Sequence, residues 1–175
     1  MLSSGVDERT VSDTGRLGEL YLRYANDAVR LAYLLTGDLG LAEDLVQDAF
    51  IRVAGRLVHL RDPGAFDAYL RRTVVNLSRS HYRRKRVERA YAARERGVAG
   101  SGVRSPDGSV EDRDALWRAL ARLSERQRVA IVLRFYEDLS ERQIADVMKC
   151  RPGTVKSLVS RGLETLRNQI EGEDR

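Results

Sequence analysis

The sequence predicts an all-α protein of two small helical domains joined by a flexible linker, the second containing a helix-turn-helix. Three observations predict it. Apolar residues recur every three or four positions through most of the 175 residues. That rhythm is lost from about Ala92 to Glu111, where Gly97, Gly100, Gly102 and Gly108 fall among Ser101, Ser105, Pro106 and Ser109. Beyond the gap, two Ser-x-x-Gln boxes follow each other closely and lead into a helix with one polar face. No strand-like alternation and no internal repeat competes with this reading.

The first helix is marked by Leu17, Leu20, Tyr21, Tyr24, Ala28, Leu31, Ala32 and Leu35, and Gly37 offers its C-terminal stop. Asp38 is placed to cap a second, whose stripe is Leu41, Leu45, Val46, Ala49, Phe50 and Val53. Pro63-Gly64 breaks the chain. A third stretch, Phe66, Tyr69, Leu70, Thr73, Val74 and Leu77, runs into Ser78–Arg86 with no Gly or Pro, as one bent helix or two abutting ones. After the linker, Ala115, Leu116, Leu120 and Leu123 share a face. Ser124 and Gln127 then open a helix through Val129, Ile131, Val132 and Phe135, and Ser140 and Gln143 open a short one with Ile144, Ala145, Val147 and Met148. Lys149-Cys150-Arg151 is a tight turn, Pro152 suits a first helical position, and Val155, Leu158, Val159, Leu163 and Leu166 stripe the last helix. Short helix, turn and longer helix make a helix-turn-helix. The predicted boundaries are 14–91, linker 92–111, and 112–170.

Composition narrows the chemistry. One cysteine, Cys150, excludes an internal disulfide, and with only His59 and His81 besides, no metal site of ordinary spacing forms. Phosphate-binding glycine loops and a G-x-S-x-G elbow are missing, so neither an enzyme nor a cofactor is expected. No segment has a membrane span's apolar run, and Met1–Glu8 lacks the basic and apolar parts of a signal peptide, so the expected location is the cytoplasm.

Net charge is +5, but it is unevenly laid out. In the last helix Thr154, Lys156, Ser157, Ser160 and Arg161 point away from the apolar stripe, and such a face can enter a major groove, where Arg and Lys donate to guanine and Ser and Thr reach bases or phosphates. A second basic run holds Arg71, Arg72, Arg79, Arg83, Arg84, Lys85, Arg86 and Arg89, with Glu88 the sole acid and His81 and Tyr82 interleaved. Cations with flat rings suit unpaired nucleic acid; a basic helix end would look the same. Asp38, Glu43, Asp44 and Asp48 form the opposite signal, with no Lys or Arg between Gly37 and Ile51. That surface repels DNA, so it is either a protein-binding face or a solvated one.

These pieces, in this order, resemble the extracytoplasmic-function sigma factors of bacterial RNA polymerase that keep only regions two and four. Leu41–Phe50 is similar to the core-binding stretch, Ala65–Leu77 with Ser78–Arg86 to the melting and minus-ten segments, and Ser124–Ser140 with Ile144-Ala145 and Gly153–Ser157 to region four. The resemblance implies that Asp44, Leu45, Gln47 and Asp48 dock on core RNA polymerase. It implies that Asp62, Phe66 and Asn76 hold a flipped minus-ten base while Arg79, Arg83 and Arg84 grip the backbone nearby. It implies that Lys156, Ser157, Ser160 and Arg161 read the minus-thirty-five element, with Arg151 and Thr154 on phosphates. The partners so implied are core RNA polymerase, promoter DNA in double-stranded and melted form, and an anti-sigma factor. Phe66 and Tyr69 stand where the family often has tryptophan, and Leu158 where it commonly has arginine. The second function class is a stand-alone helix-turn-helix regulator that dimerises through its N-terminal helices.

Overall fold

The computed structural model describes residues 8–55, 63–96 and 111–173, which form seven helices. The first three are α1 (Glu8–Thr36), α2 (Leu39–Ala54) and α3 (Pro63–Arg96). The last four are α4 (Glu111–Ala121), α5 (Glu125–Phe135), α6 (Glu141–Met148) and α7 (Pro152–Glu173). Among the described residues there is no strand.

Helices α1, α2 and α3 pack pairwise around the apolar stripe that the sequence marks. Leu31, Leu35, Val46, Val53, Leu70 and Val74 are at most 2% exposed. Each such side chain contributes roughly 1.5–3 kcal/mol by leaving water. Four rings in three contacts tie the helices together: Phe50 lies 4.9 Å from Tyr21 and 5.9 Å from Phe66, and Phe66 lies 5.5 Å from Tyr24, all tilted. Asp38 caps α2 as its position predicts, its Oδ1 accepting from the Leu41 amide at 3.0 Å. Gly37 takes φ +71°, the left-handed conformation that ends α1.

The third stretch is one helix. Its polar positions do not break it, because Ser78 Oγ donates to the Val74 carbonyl at 2.9 Å and Thr73 Oγ1 to Tyr69 at 2.8 Å, so those hydroxyls are satisfied within the helix. Helix α3 also continues through residues 92–96, which the sequence assigns to the linker; residues 97–110 lie outside the described residues.

Both Ser-x-x-Gln boxes form as expected. Gln127 and Gln143 amides donate to Ser124 and Ser140 hydroxyls, and each glutamine Oε1 accepts from the serine amide, at 3.0 and 2.9 Å. Replacing Ser140 with Ala is expected to cost about 1 kcal/mol, read as a lower denaturant midpoint with unchanged slope. The turn after α6 is closed by Lys149 in the left-handed region (φ 52°) and by the Cys150 amide donating to Ala145 at 3.0 Å. Pro152 is the first residue of α7, where its missing N–H costs nothing.

Two stripe positions differ from the sequence reading. On α4 Trp117, 6% exposed, joins Leu120 in the core, whereas Leu116 is 54% exposed. On α7 Leu163 is 40% exposed, because Gly162, not Leu163, faces α5: a Cβ there would come 2.9 Å from Ile131 Cγ1.

The two groups of helices also pack against each other, which the hydrophobic rhythm does not reveal. Arg128 of α5 is 9% exposed. Its guanidinium donates to Leu120 O (3.1 Å) and Leu123 O (3.4 Å) at the end of α4, and to Leu35 O (2.9 Å) at the end of α1. Two helix C-termini thus converge on one cation, and their carbonyl dipoles compensate the burial of its charge.

Candidate nucleic-acid interface

The acidic face is built by α2. Asp44, Gln47 and Asp48 fall at i, i+3 and i+4 and are exposed, as is Glu43. Leu45 is not part of that surface: it is 7% exposed and packs inward, since its position lies on the stripe that faces α1 and α3. The apolar side chains that α2 does leave to solvent are Leu39 (55%) and Ile51 (71%). Ile51 is one turn beyond Gln47 and Asp48, and the sequence reading gave it no role.

Helix α3 carries the second set. Arg83 and Arg84 are exposed, while Asn76 and Arg79 are half-buried. Arg79 is held by an ion pair with Glu125 (3.5 Å) and by the Met148 carbonyl (3.4 Å). Phe66 stands apart from them in the core, 1% exposed among Tyr24 and Phe50, so the stacking assigned to it on a flipped base is corrected: that ring is structural. Asp62 lies outside the described residues. Tyr82 is turned inward, its hydroxyl donating to Thr36 O at 2.9 Å and accepting from Arg128 at 3.3 Å. Burial holds this phenol above its ordinary pKa, keeping the donor protonated, although Arg128 opposes the shift. His81 is shifted the other way, by burial first and then by Lys85 and Arg84, so it is a neutral ring rather than a further phosphate-binding cation.

Helix α7 supplies the third set. With Val155 fully buried as its anchor, Lys156, Ser157, Ser160 and Arg161 are exposed together, flanked by exposed Arg151 and half-buried Thr154. Ser157 Oγ donates to Gly153 O at 3.0 Å, which leaves its lone pairs for a donor from outside. The short α6, the left-handed turn and α7 form the helix-turn-helix that the sequence predicts. A cleft of about 650 Å³ brings Asn76, Arg79 and Arg83 of the second set opposite Glu125, Lys149 and Leu158. Among the described residues no cluster of His, Cys, Asp and Glu is arranged to hold a metal ion, and no helix is long and apolar enough to cross a membrane.

Comparison with known proteins agrees with this geometry. The family model for Sigma-70 region 2 matches residues 20–88, and that for Sigma-70 region 4 matches residues 113–166. The chain is 34% identical over 164 residues to the RNA polymerase sigma-E factor of Streptomyces avermitilis, covering 89% of this chain and 86% of that one. It is 32% identical over 165 residues to the ECF RNA polymerase sigma-E factor of Escherichia coli K12, covering 87% and 85%. Among solved structures it is similar to the sigma factor RpoE of Bartonella quintana, determined in complex with the anti-sigma factor NepR. There the TM-score is 0.70 and the identity 27%, covering 88% of this chain and 96% of that one. Identity of this order along nearly the whole length, with both regions matched in order, carries the assignment: the chain belongs to the extracytoplasmic-function RNA polymerase sigma factors.

Proposed function

We propose that this sigma factor docks on core RNA polymerase through the acidic face of α2, with Asp44, Gln47 and Asp48 making the contact, and reads a promoter with two further surfaces. Asn76, Arg79, Arg83 and Arg84 of α3 engage the melted minus-ten element. Lys156, Ser157, Ser160 and Arg161 of α7 read the minus-thirty-five element, with Arg151 and Thr154 on phosphates. The observation that carries this reading is the exposed, polar and basic face of α7, presented directly after a tight turn and a capped short helix.

The working units are residues 14–91 and 112–170, connected through 92–111, a segment that begins as the end of α3. The protein acts without catalysing a reaction, in the cytoplasm, where its polymerase and promoter are. The Bartonella quintana relative was captured with an anti-sigma factor, and an antagonist of that class is a further expected partner here.

Co-elution of the purified chain with bacterial core RNA polymerase tests the central claim without knowledge of the promoter. A stable complex supports it, and a folded chain that never co-elutes returns the weight to a stand-alone regulator. At the upstream element, Arg161→Ala is expected to cost about 1–3 kcal/mol at a single base position, seen in binding to a panel of single-base variants. An equal loss on every sequence would make Arg161 a phosphate contact instead.

A further inference from the structure

We infer that the cleft between α3 and the start of α5 is a binding site for a small ligand that carries a linear polyphosphate, either a nucleoside triphosphate or the inorganic chain itself. With a volume of about 650 Å³, it falls within the range of roughly 300–1,000 Å³ that holds one small molecule. Five cations line it: Arg79, Arg83 and Arg86 from α3, Arg126 from the first turn of α5, and Lys149 from the turn between α6 and α7. The single acid on its wall is Glu125, which is already engaged with Arg79 at 3.5 Å. The other four cations are exposed and have no carboxylate within 4.0 Å among the described residues. The cleft therefore holds positive charge that its own walls leave uncompensated.

The arrangement favours a compact anion over a strand of nucleic acid. Arg86, Arg126 and Lys149 belong to neither promoter surface of the proposed function, and no single helix face presents all five cations: they approach one hollow from three separate elements. Arginine forks take phosphate oxygens in pairs, and successive phosphates of one short chain offer enough oxygens to fill several forks at once, whereas a nucleic-acid backbone spreads its charge one per nucleotide. The N-terminus of α5 opens onto the same hollow, with Ser124, Glu125 and Arg126 on the wall, and the positive end of that helix dipole adds to the field. The backbone of Lys149 is held by the left-handed turn (φ 52°) that closes α6, which fixes where that cation enters. Leu158 and Asn76 complete the wall with an apolar and an amide group suited to a base. Asn76, Arg79 and Arg83 are shared with the α3 surface assigned to the melted minus-ten element, so an occupied cleft blocks that element; this consequence, unlike the site itself, rests on that assignment.

Titration calorimetry of the full chain at about 150 mM salt tests the site, with guanosine triphosphate, inorganic tripolyphosphate and orthophosphate as separate probes. The expected result is one saturable site per chain for both triphosphates, at least about tenfold tighter than for orthophosphate. Arg126→Gln/Lys149→Gln, at two exposed positions outside the packed stripes, should weaken both triphosphates by at least about tenfold. Arg86→Gln, on α3 and away from the turn, should weaken them by about threefold without any change in helix content. Tighter binding of guanosine triphosphate than of tripolyphosphate assigns the nucleotide as the source, and equal binding assigns the phosphate chain alone. Absence of saturable binding overturns the site, as does binding that none of these substitutions weakens. A mixed-sequence single-stranded oligonucleotide that depends on Arg126 and Lys149 as strongly as the triphosphates do also overturns it, making the cleft a track for nucleic acid. If the triphosphates bind as expected and fail to displace that oligonucleotide, the site stands and the assignment of Asn76, Arg79 and Arg83 to the melted element is what fails.

Discussion

Reversing Asp44 and Asp48 together to Lys is expected to abolish co-elution with core RNA polymerase, a loss of at least about 100-fold in affinity. Both carboxylates are exposed on one face of α2 and point away from the packed stripe of Leu45, Val46 and Ala49, so the fold does not need them. The helix is capped independently by Asp38, which the substitutions leave alone. The loss is therefore one of recognition: attraction to a basic partner surface becomes repulsion at two adjacent points. Thermal unfolding should stay within about 0.5 kcal/mol of the unaltered chain. Unchanged polymerase affinity would show that α2 does not carry the docking surface. Ile51, exposed one turn further along, extends the test: if it belongs to the same contact, Ile51→Ala weakens binding without touching charge.

The second large effect is on stability. Arg128→Ala is expected to lower the unfolding free energy by about 3 kcal/mol, because it strands the carbonyl of Leu123, leaves those of Leu120 and Leu35 with only the Leu123 amide and the Tyr82 hydroxyl as donors, and opens space beneath Trp117 and Tyr82. Arg128→Met restores most of the volume and none of the donors, so it should recover only part of the loss. Arg128→Lys retains the charge but not the planar fork that reaches several acceptors at once, and it too should fall short. Denaturant titration decides: a shift below about 1 kcal/mol for the alanine variant would mean that water replaces the arginine as donor at little cost.

How far the sequence alone leads depends on the range of the interaction. Helix existence was readable because periodicity and caps are local: Asp38, Ser124 and Ser140 each bond to amides three residues on, and all three cap as expected. The continuity of α3 was harder, since its polar residues look like a break until their hydroxyls are seen to bond back into the helix. Within the site, the exposed faces of α2 and α7 follow from opposition to an apolar stripe. Leu45 and Phe66 do not: their placement in the candidate site came from family resemblance, and burial removes both from the surface. Trp117 and Arg128 show what periodicity cannot supply. Each is buried by a partner far along the chain, Gly37 for the indole and the end of α1 for the guanidinium.

Gly162 has a wider meaning than close packing. The backbone of α7 rests against Ile131 at that point, one position after Arg161, so the spacing between α5 and α7 is set by a residue with no side chain. Any substituent would act as a shim, lifting the C-terminal part of the recognition helix and tilting it about the buried Val155 near its start. Ser160 and Arg161 would then arrive displaced in the groove, while Thr154 and Lys156, closer to the pivot, would hardly move. If Ser160 and Arg161 read the upstream element as proposed, sequence preference at its far end is open to retuning from inside the protein, by a position packed against α5.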